Sequence, residues 1–192
     1  MTRKTKLIVA MTGASGAIFG IRLLEILKNI EEIETHLIIS KSANITIKYE
    51  TNYKISDIKN LADFCYNPDD ISACISSGSF RTDGMIIAPC SIKTMSSIAH
   101  SYCDNLISRS ADVILKERLK LVLMLRETPL HLTHLKNMVS VAENGGIIYP
   151  PVPAFYSKPS NIDDLVNHTT YRVLDLFGIN LPELKRWNGL NN

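Results

Sequence analysis

The chain has 192 residues, 45% hydrophobic and 21% charged, and 21 Lys and Arg against 19 Asp and Glu leave a formal charge of +2. Such a chain buries about 70% of its unfolded surface without disulfide or structural metal. With no basic run longer than Arg3-Lys4 and no apolar stretch longer than one such as Leu121 to Leu125, it offers neither the clustered cations of a nucleic-acid face nor the roughly 20 apolar residues of a membrane span.

The basic start, Met1 to Lys6, is followed by an apolar run that stops at Thr12-Gly13 without a cleavage site, so it reads as the beginning of the fold. Lys6 to Met11 is a short strand, Gly13-Ala14-Ser15-Gly16 a tight turn, and Ala17 to Leu27 has helical spacing. Glu34 to Ser40 repeats the strand pattern, and Ser42 to Tyr49 is a helix with Ile45 and Tyr49 on one face. Asp57 to Asp63 is a weaker helical piece, and the polar stretch beyond it, through Asn67-Pro68 and Ser76 to Ser79, reads as loop. Gly84 to Ala88 is a strand stopped by Pro89, followed by helices over Ser91 to His100 and Asn105 to Glu117. Lys120 to Leu125 is a fourth strand. Leu130 to Glu143 carries a helical stripe of Leu132, Leu135, Met138, Val139 and Ala142, and Ile147 to Tyr149 is a brief strand. A Pro-rich loop, a helix over Ile162 to Phe177 and a polar tail, Asn180 to Asn192, complete the chain; the tail needs something to pack on.

Continuous apolar strands alternating with helices imply an α/β fold, a doubly wound parallel sheet of the Rossmann or flavodoxin kind in one domain. Cysteines 65, 74, 90 and 103 show no C-x-x-C spacing and read as buried thiols in a reducing cytoplasm.

In open α/β sheets the ligand lies beyond the carboxyl ends of the strands. The residues there are Gly13-Ala14-Ser15, Ser40, Cys90-Ser91, Arg126-Glu127 and Pro150-Pro151. Gly13 and Gly16 allow close backbone approach, and the helix starting beside Ser15 offers N–H groups to a phosphate. A dinucleotide fits poorly: G-x-G-x-x-G is broken and Ser40-Lys41 replaces the ribose-binding acid. No P-loop is present, and a mononucleotide such as FMN suits the turn better than NAD or ATP. Ser91 and Thr94 share a face at a helix start, where they cap the helix or hold a ligand. Arg109 and Lys116 project from one helical face and, with Arg126 and Arg172, make a second phosphate pocket or a solvated charged surface. His131 and His134 lack a third ligand in register, which favours capped or surface histidines over a metal. Glu50 closes its helix against the dipole, through fraying or as a general base.

Together, T-G-A-S-G-A at 12 to 17, S-K-S-A at 40 to 43 with Glu50, S-S-G-S-F-R-T-D-G-M at 76 to 85, P-C-S-I-K-T at 89 to 94, D-N-L-I-S-R-S-A-D-V-I-L-K-E-R at 104 to 118, R-E-T-P-L at 126 to 130, P-P-V-P-A-F-Y at 150 to 156 and R-W-N-G-L at 186 to 190 resemble the UbiX-like flavin prenyltransferases. The resemblance implies a metal-independent enzyme that joins the dimethylallyl group of dimethylallyl monophosphate to reduced FMN for a separate UbiD-type decarboxylase. It implies FMN contacts at Gly13, Ala14, Ser15, Ser40, Ser91, Ile92, Lys93, Thr94 and Arg126. Lys116, Arg126, Tyr156 and Arg172 then resemble the clamp on the allylic phosphate. Glu50 and Glu127 resemble an acid–base pair with Ser15 and Arg109 close by, and Trp187 a tail residue that closes over the site. It further implies a homo-oligomer, commonly a dodecamer, with a site shared between subunits. Leu119, Leu125 and Lys136 depart from the family pattern at positions peripheral to the ring of ligand residues. The competing readings are a direct FMN-dependent decarboxylase of aromatic acids, which has no use for the phosphate clamp, and a flavodoxin-like carrier, which is typically acidic where this chain is not.

Overall fold

In the computed structural model, which describes residues 3–189, the chain alternates strands and helices. In order these are β1 (Thr5–Met11), α1 (Ala17–Leu27), β2 (Ile33–Ile39), α2 (Lys41–Glu50), α3 (Ile55–Lys59), β3 (Phe64–Tyr66), β4 (Gly84–Cys90), α4 (Ile92–Ala99), α5 (Leu106–Lys116), β5 (Lys120–Leu125), α6 (Leu132–Glu143), β6 (Ile147–Ile148) and α7 (Ile162–Asp175). The expectations for Met1-Thr2 and for the tail from Leu190 onward lie outside the described residues. Two compact units divide the chain, Met1–Pro150 and Pro151–Asn192.

The first unit is a six-stranded sheet in the order β3-β2-β1-β4-β5-β6, parallel throughout. Strands joined by crossovers are covered on both faces, which is why β1, β4 and β5 read as unbroken apolar runs. Ile8, Ile38, Met85, Ile87, Leu121 and Leu123 bury one face beneath Met95 of α4, Ile107 and Ile114 of α5, and Val141 of α6. On α1, which packs against β1, β2 and β4, Gly20 comes so close to the Ala88 carbonyl that a Cβ there would stand 2.2 Å from the oxygen. No described helix is long and apolar enough to cross a membrane.

Four expectations need correction. Pro89 does not stop β4, which runs on to Cys90 with its register against β5 shifted after Ile87; a proline without N–H is tolerated at such an irregularity. The polar stretch expected to be loop contains β3, a sixth strand of three residues, too short to show a periodic pattern. It is set by Asp63, whose carboxylate accepts from the backbone N–H (2.7 Å) and hydroxyl (2.9 Å) of Thr35 on β2. Most of the α6 stripe does not face the core: Leu132 is 65% and Val139 56% exposed, Leu135 and Ala142 are exposed too, and of the stripe Met138 alone packs against the core, beside the inward Asn137 and Val141. Of the four cysteines only Cys90 is buried, while Cys65 and Cys74 are exposed.

In the second unit, α7 is capped by Asn161, whose side chain accepts from Asp164 N at 2.8 Å. The tail packs on this helix: Leu184 is buried, the Lys185 carbonyl lies 3.1 Å from His168 Nε2, and Arg186 pairs with Asp175. Arg186 first, then Arg172 at 2.6 Å, hold the Asp175 carboxyl below its ordinary range.

Candidate functional site

The connections leaving β1 and β4 turn to opposite faces of the sheet, so a crevice opens between their carboxyl ends. A cleft of ≈ 430 Å³ lies there, with Thr12, Gly13, Ser40, Ser42, Ser91 and Thr94 among its lining residues. Helices α2, α4 and α5 begin at it. Ser40 caps α2, its Oγ accepting from Ala43 N at 3.0 Å, and Ser91 caps α4, accepting from Thr94 N at 3.3 Å and donating to Thr94 Oγ1 at 3.1 Å. The leading N–H groups of α4, on Ile92 and Lys93, have no partner within the helix and carry its positive dipole end. Lys41 and Lys93 add cationic side chains at the rim, paired to Asp69 at 2.6 Å and Asp104 at 3.4 Å.

Gly13 is required by its neighbour: a Cβ would stand 2.3 Å from Ser42 Cβ in the first turn of α2. Glu50 has its explanation too. Its Oε2 accepts from Gly16 N (2.8 Å) and Ala17 N (3.0 Å), so α2 carries a carboxylate onto the start of α1. That corrects the expectation that α1 offers free N–H groups to a phosphate, since Glu50 occupies two of them and the α4 start becomes the anion end of the cleft. Ala14 is half-buried, while Ser15 beside Glu50 is exposed. Arg126 and Glu127 follow β5 at the same edge with exposed side chains, Arg126 N donating to the Cys90 carbonyl at 3.0 Å. Burial pushes the Cys90 thiol up, which keeps it protonated and unreactive.

Arg109 and Lys116 do share a face of α5, under the loop that carries Ser76 and Gly78, yet both are engaged within the chain. Arg109 donates to the Ser76 carbonyl (3.1 Å) and Asp112 (3.1 Å), and Lys116 pairs with Glu117. Helix α5 starts at the cleft and ends beside the opening of β5, so Lys116 sits at the opposite end of the sheet from Ser91. Within the first unit Lys116 is therefore set apart from the cleft that Ser91 lines. Tyr156, Arg172 and Trp187 belong to the second unit. There Tyr156 Oη lies 3.3 Å from His168 Nε2, and the Trp187 ring meets Tyr156 edge-on at 5.8 Å. His131 caps α6, accepting from Thr133 N at 3.2 Å.

The family model described as Flavoprotein matches residues 1–174. The chain is 55% identical over 186 residues to the flavin prenyltransferase UbiX of Escherichia coli (strain K12), covering 96% of this chain and 98% of that one. The chain belongs to the UbiX-like flavin prenyltransferases. Among solved structures, one of AnUbiX (PadA1) in complex with FMN and dimethylallyl pyrophosphate aligns with a TM-score of 0.96 at 52% identity, over 98% of this chain and all (100%) of that one. A dodecameric FMN-dependent UbiX-like decarboxylase from Escherichia coli O157:H7 aligns at 0.94, also 52% identical, over 96% and 100%.

The hydroxyls, the leading N–H groups of α4 and the two lysines of the cleft suit a phosphate dianion such as the one FMN carries. Sequence reasoning missed Thr12, Lys41, Ser42, Asp69, Asp104 and Asn105 in the cleft lining. All of these but Asp69 lie in the segments that carry the family resemblance, which gave them no individual role.

Proposed function

We propose that the protein transfers the dimethylallyl group of dimethylallyl monophosphate to reduced FMN, at N5 and then at the neighbouring ring carbon, and releases phosphate and prenylated FMN for a UbiD-type decarboxylase. The observation that carries this reading is the 0.96 TM-score to a 52%-identical structure in complex with FMN and dimethylallyl pyrophosphate.

Reduced FMN supplies the nucleophilic ring; the protein supplies position and charge. Ser91, Ile92, Lys93 and Thr94 hold the FMN phosphate at the α4 start, with Ser40 opposite and Gly13, Ala14 and Ser15 against the flavin. Breaking the allylic C–O bond places positive charge on carbon and negative charge on the leaving oxygens, and Lys116, Arg126, Tyr156 and Arg172 stabilise the latter. Glu50 and Glu127 move the protons, assisted by Ser15 and Arg109, and Trp187 in the tail helps exclude the water that would capture an allyl cation. Because Lys116 lies at the far end of α5 from Glu50, a complete site takes Arg109 and Lys116 from a second copy. A homododecamer like that of the O157:H7 relative supplies one.

The test is anaerobic incubation with reduced FMN and either dimethylallyl monophosphate or the diphosphate, followed by the mass of the extracted flavin. A gain of one prenyl unit with the monophosphate, absent in Glu50→Gln, is expected. Unmodified FMN with both donors overturns the reading, and release of carbon dioxide from an aromatic acid would replace it with the decarboxylase.

A further inference from the structure

The ladder between β1 and β4 pairs Leu7 with Gly84 through Ala10 with Ile87 and then meets Pro89, which has no N–H to donate. One side chain carries the connection past it. Thr12, only 2% exposed, donates its backbone N–H to the Pro89 carbonyl at 3.1 Å and its hydroxyl to the same carbonyl at 2.8 Å. The hydroxyl oxygen in turn accepts from the Ser91 backbone N–H at 2.8 Å. One hydroxyl thus uses donor and acceptor together in a buried place, where an unmade bond is costly.

Gly13, Ala14 and Ser15 follow Thr12 in turn, and Ser91 is the cap from which α4 begins. The Thr12 hydroxyl is therefore the bolt between the two walls of the cleft, and it fixes where the α4 start stands relative to the flavin turn. We propose that Thr12 is a positioning residue for FMN: it touches no reacting atom, and it sets the spacing at which the cleft receives the mononucleotide. This rests on the reading that FMN binds in this cleft.

Valine has nearly the shape of threonine with neither bond, whereas serine keeps both. FMN affinity is measured by fluorescence titration for the full-length protein, Thr12→Val and Thr12→Ser, together with Tm and the dependence of prenylation on reduced FMN. The valine chain should bind FMN at least tenfold more weakly and show a raised KM for FMN with kcat within about threefold of the parent at saturation. The serine chain should return within threefold on both counts. Should the valine chain fail to fold, Thr12→Cys, a poor hydrogen-bond partner of similar size, is read in its place. A valine or cysteine chain that binds as the parent does overturns the positioning role. So does a serine chain as weak as the valine one, or a loss of kcat and Tm without a change in KM, each of which marks Thr12 as packing alone. A parent chain that binds no FMN overturns the flavin reading itself, and the positioning role with it.

Discussion

Gly13 shows how one hydrogen atom in place of a methyl group settles an element's position. Replacing it with alanine drives a Cβ to 2.3 Å from Ser42 Cβ, so either the turn or the first turn of α2 must move. Gly13→Ala should cost about 1–3 kcal/mol, the range for overpacking, and Ser42→Gly in the same chain should recover most of it. A double-mutant cycle by thermal melting reads the coupling, and additive losses would show that the strain lies elsewhere. Glu50 separates two roles of one side chain. As the cap of α1 it is replaceable by glutamine, whose carbonyl still accepts from Gly16 and Ala17, whereas alanine removes the acceptor and should cost about 0.5–2 kcal/mol. In the proton-carrying role proposed for it, neither replacement serves. Glu50→Gln is expected to melt close to the parent and make no prenylated flavin, and Glu50→Ala to lose both. An active glutamine variant would reduce Glu50 to a cap.

At the scale of elements, what the sequence revealed depended on how much of each element's stability is local. The strand, turn and helix over Lys6 to Leu27 were legible because apolar period, glycines and helix spacing agree there, and α1 has the expected bounds. The short β3 was not, because Asp63 and its bonds to Thr35 hold it, a contact between distant residues. The strand ends were legible for the same reason the strands were: the carboxyl ends of β1, β2, β4 and β5 hold the residues named from the sequence, and their roles are those proposed above. Thr12 and the occupation of the α1 start by Glu50 depend on tertiary approach and were not. The tail is another such element, held through Asp175. Its carboxyl is lowered in the folded chain, chiefly by Arg186, so the stabilisation it gives is complete above the ordinary carboxylate range near pH 4 and is lost as pH falls through the folded value. The chain has one Trp, and it follows Arg186 directly. Trp187 anisotropy should hold steady from neutral pH down to about 5 and fall in stronger acid. Asp175→Asn should show the low value already at neutral pH. If the asparagine chain matches the parent at pH 7, Asp175 is not what holds the tail.

At the scale of the whole molecule, the proposed homo-oligomer accounts for two features of the chain. Helix α6 turns Leu132, Leu135 and Val139, spaced to share one face, away from its own core, and α5 carries Lys116 to the end of the sheet remote from Glu50. In the homo-oligomer proposed above, the first would be an interface and the second would reach a neighbour's cleft. An exposed apolar helical stripe is the kind of surface that a second copy covers, and a charge placed in it must be desolvated without a partner. Val139→Glu should therefore shift the light-scattering mass to smaller species, while a parent-sized assembly would exclude this stripe from the contact. The shared site has a sharper test. Lys116→Ala and Glu50→Gln chains are each expected to be inactive alone. Dissociated, mixed in equal amounts and reassembled, they form some sites that draw Glu50 from one intact copy and Lys116 from another, about a quarter of all sites if the copies mix at random. Activity should return to about that fraction of the parent's. A mixture that stays inactive although hybrid oligomers form would mean that both groups serve a site from the same chain, reached by a movement of α5 rather than by a neighbour.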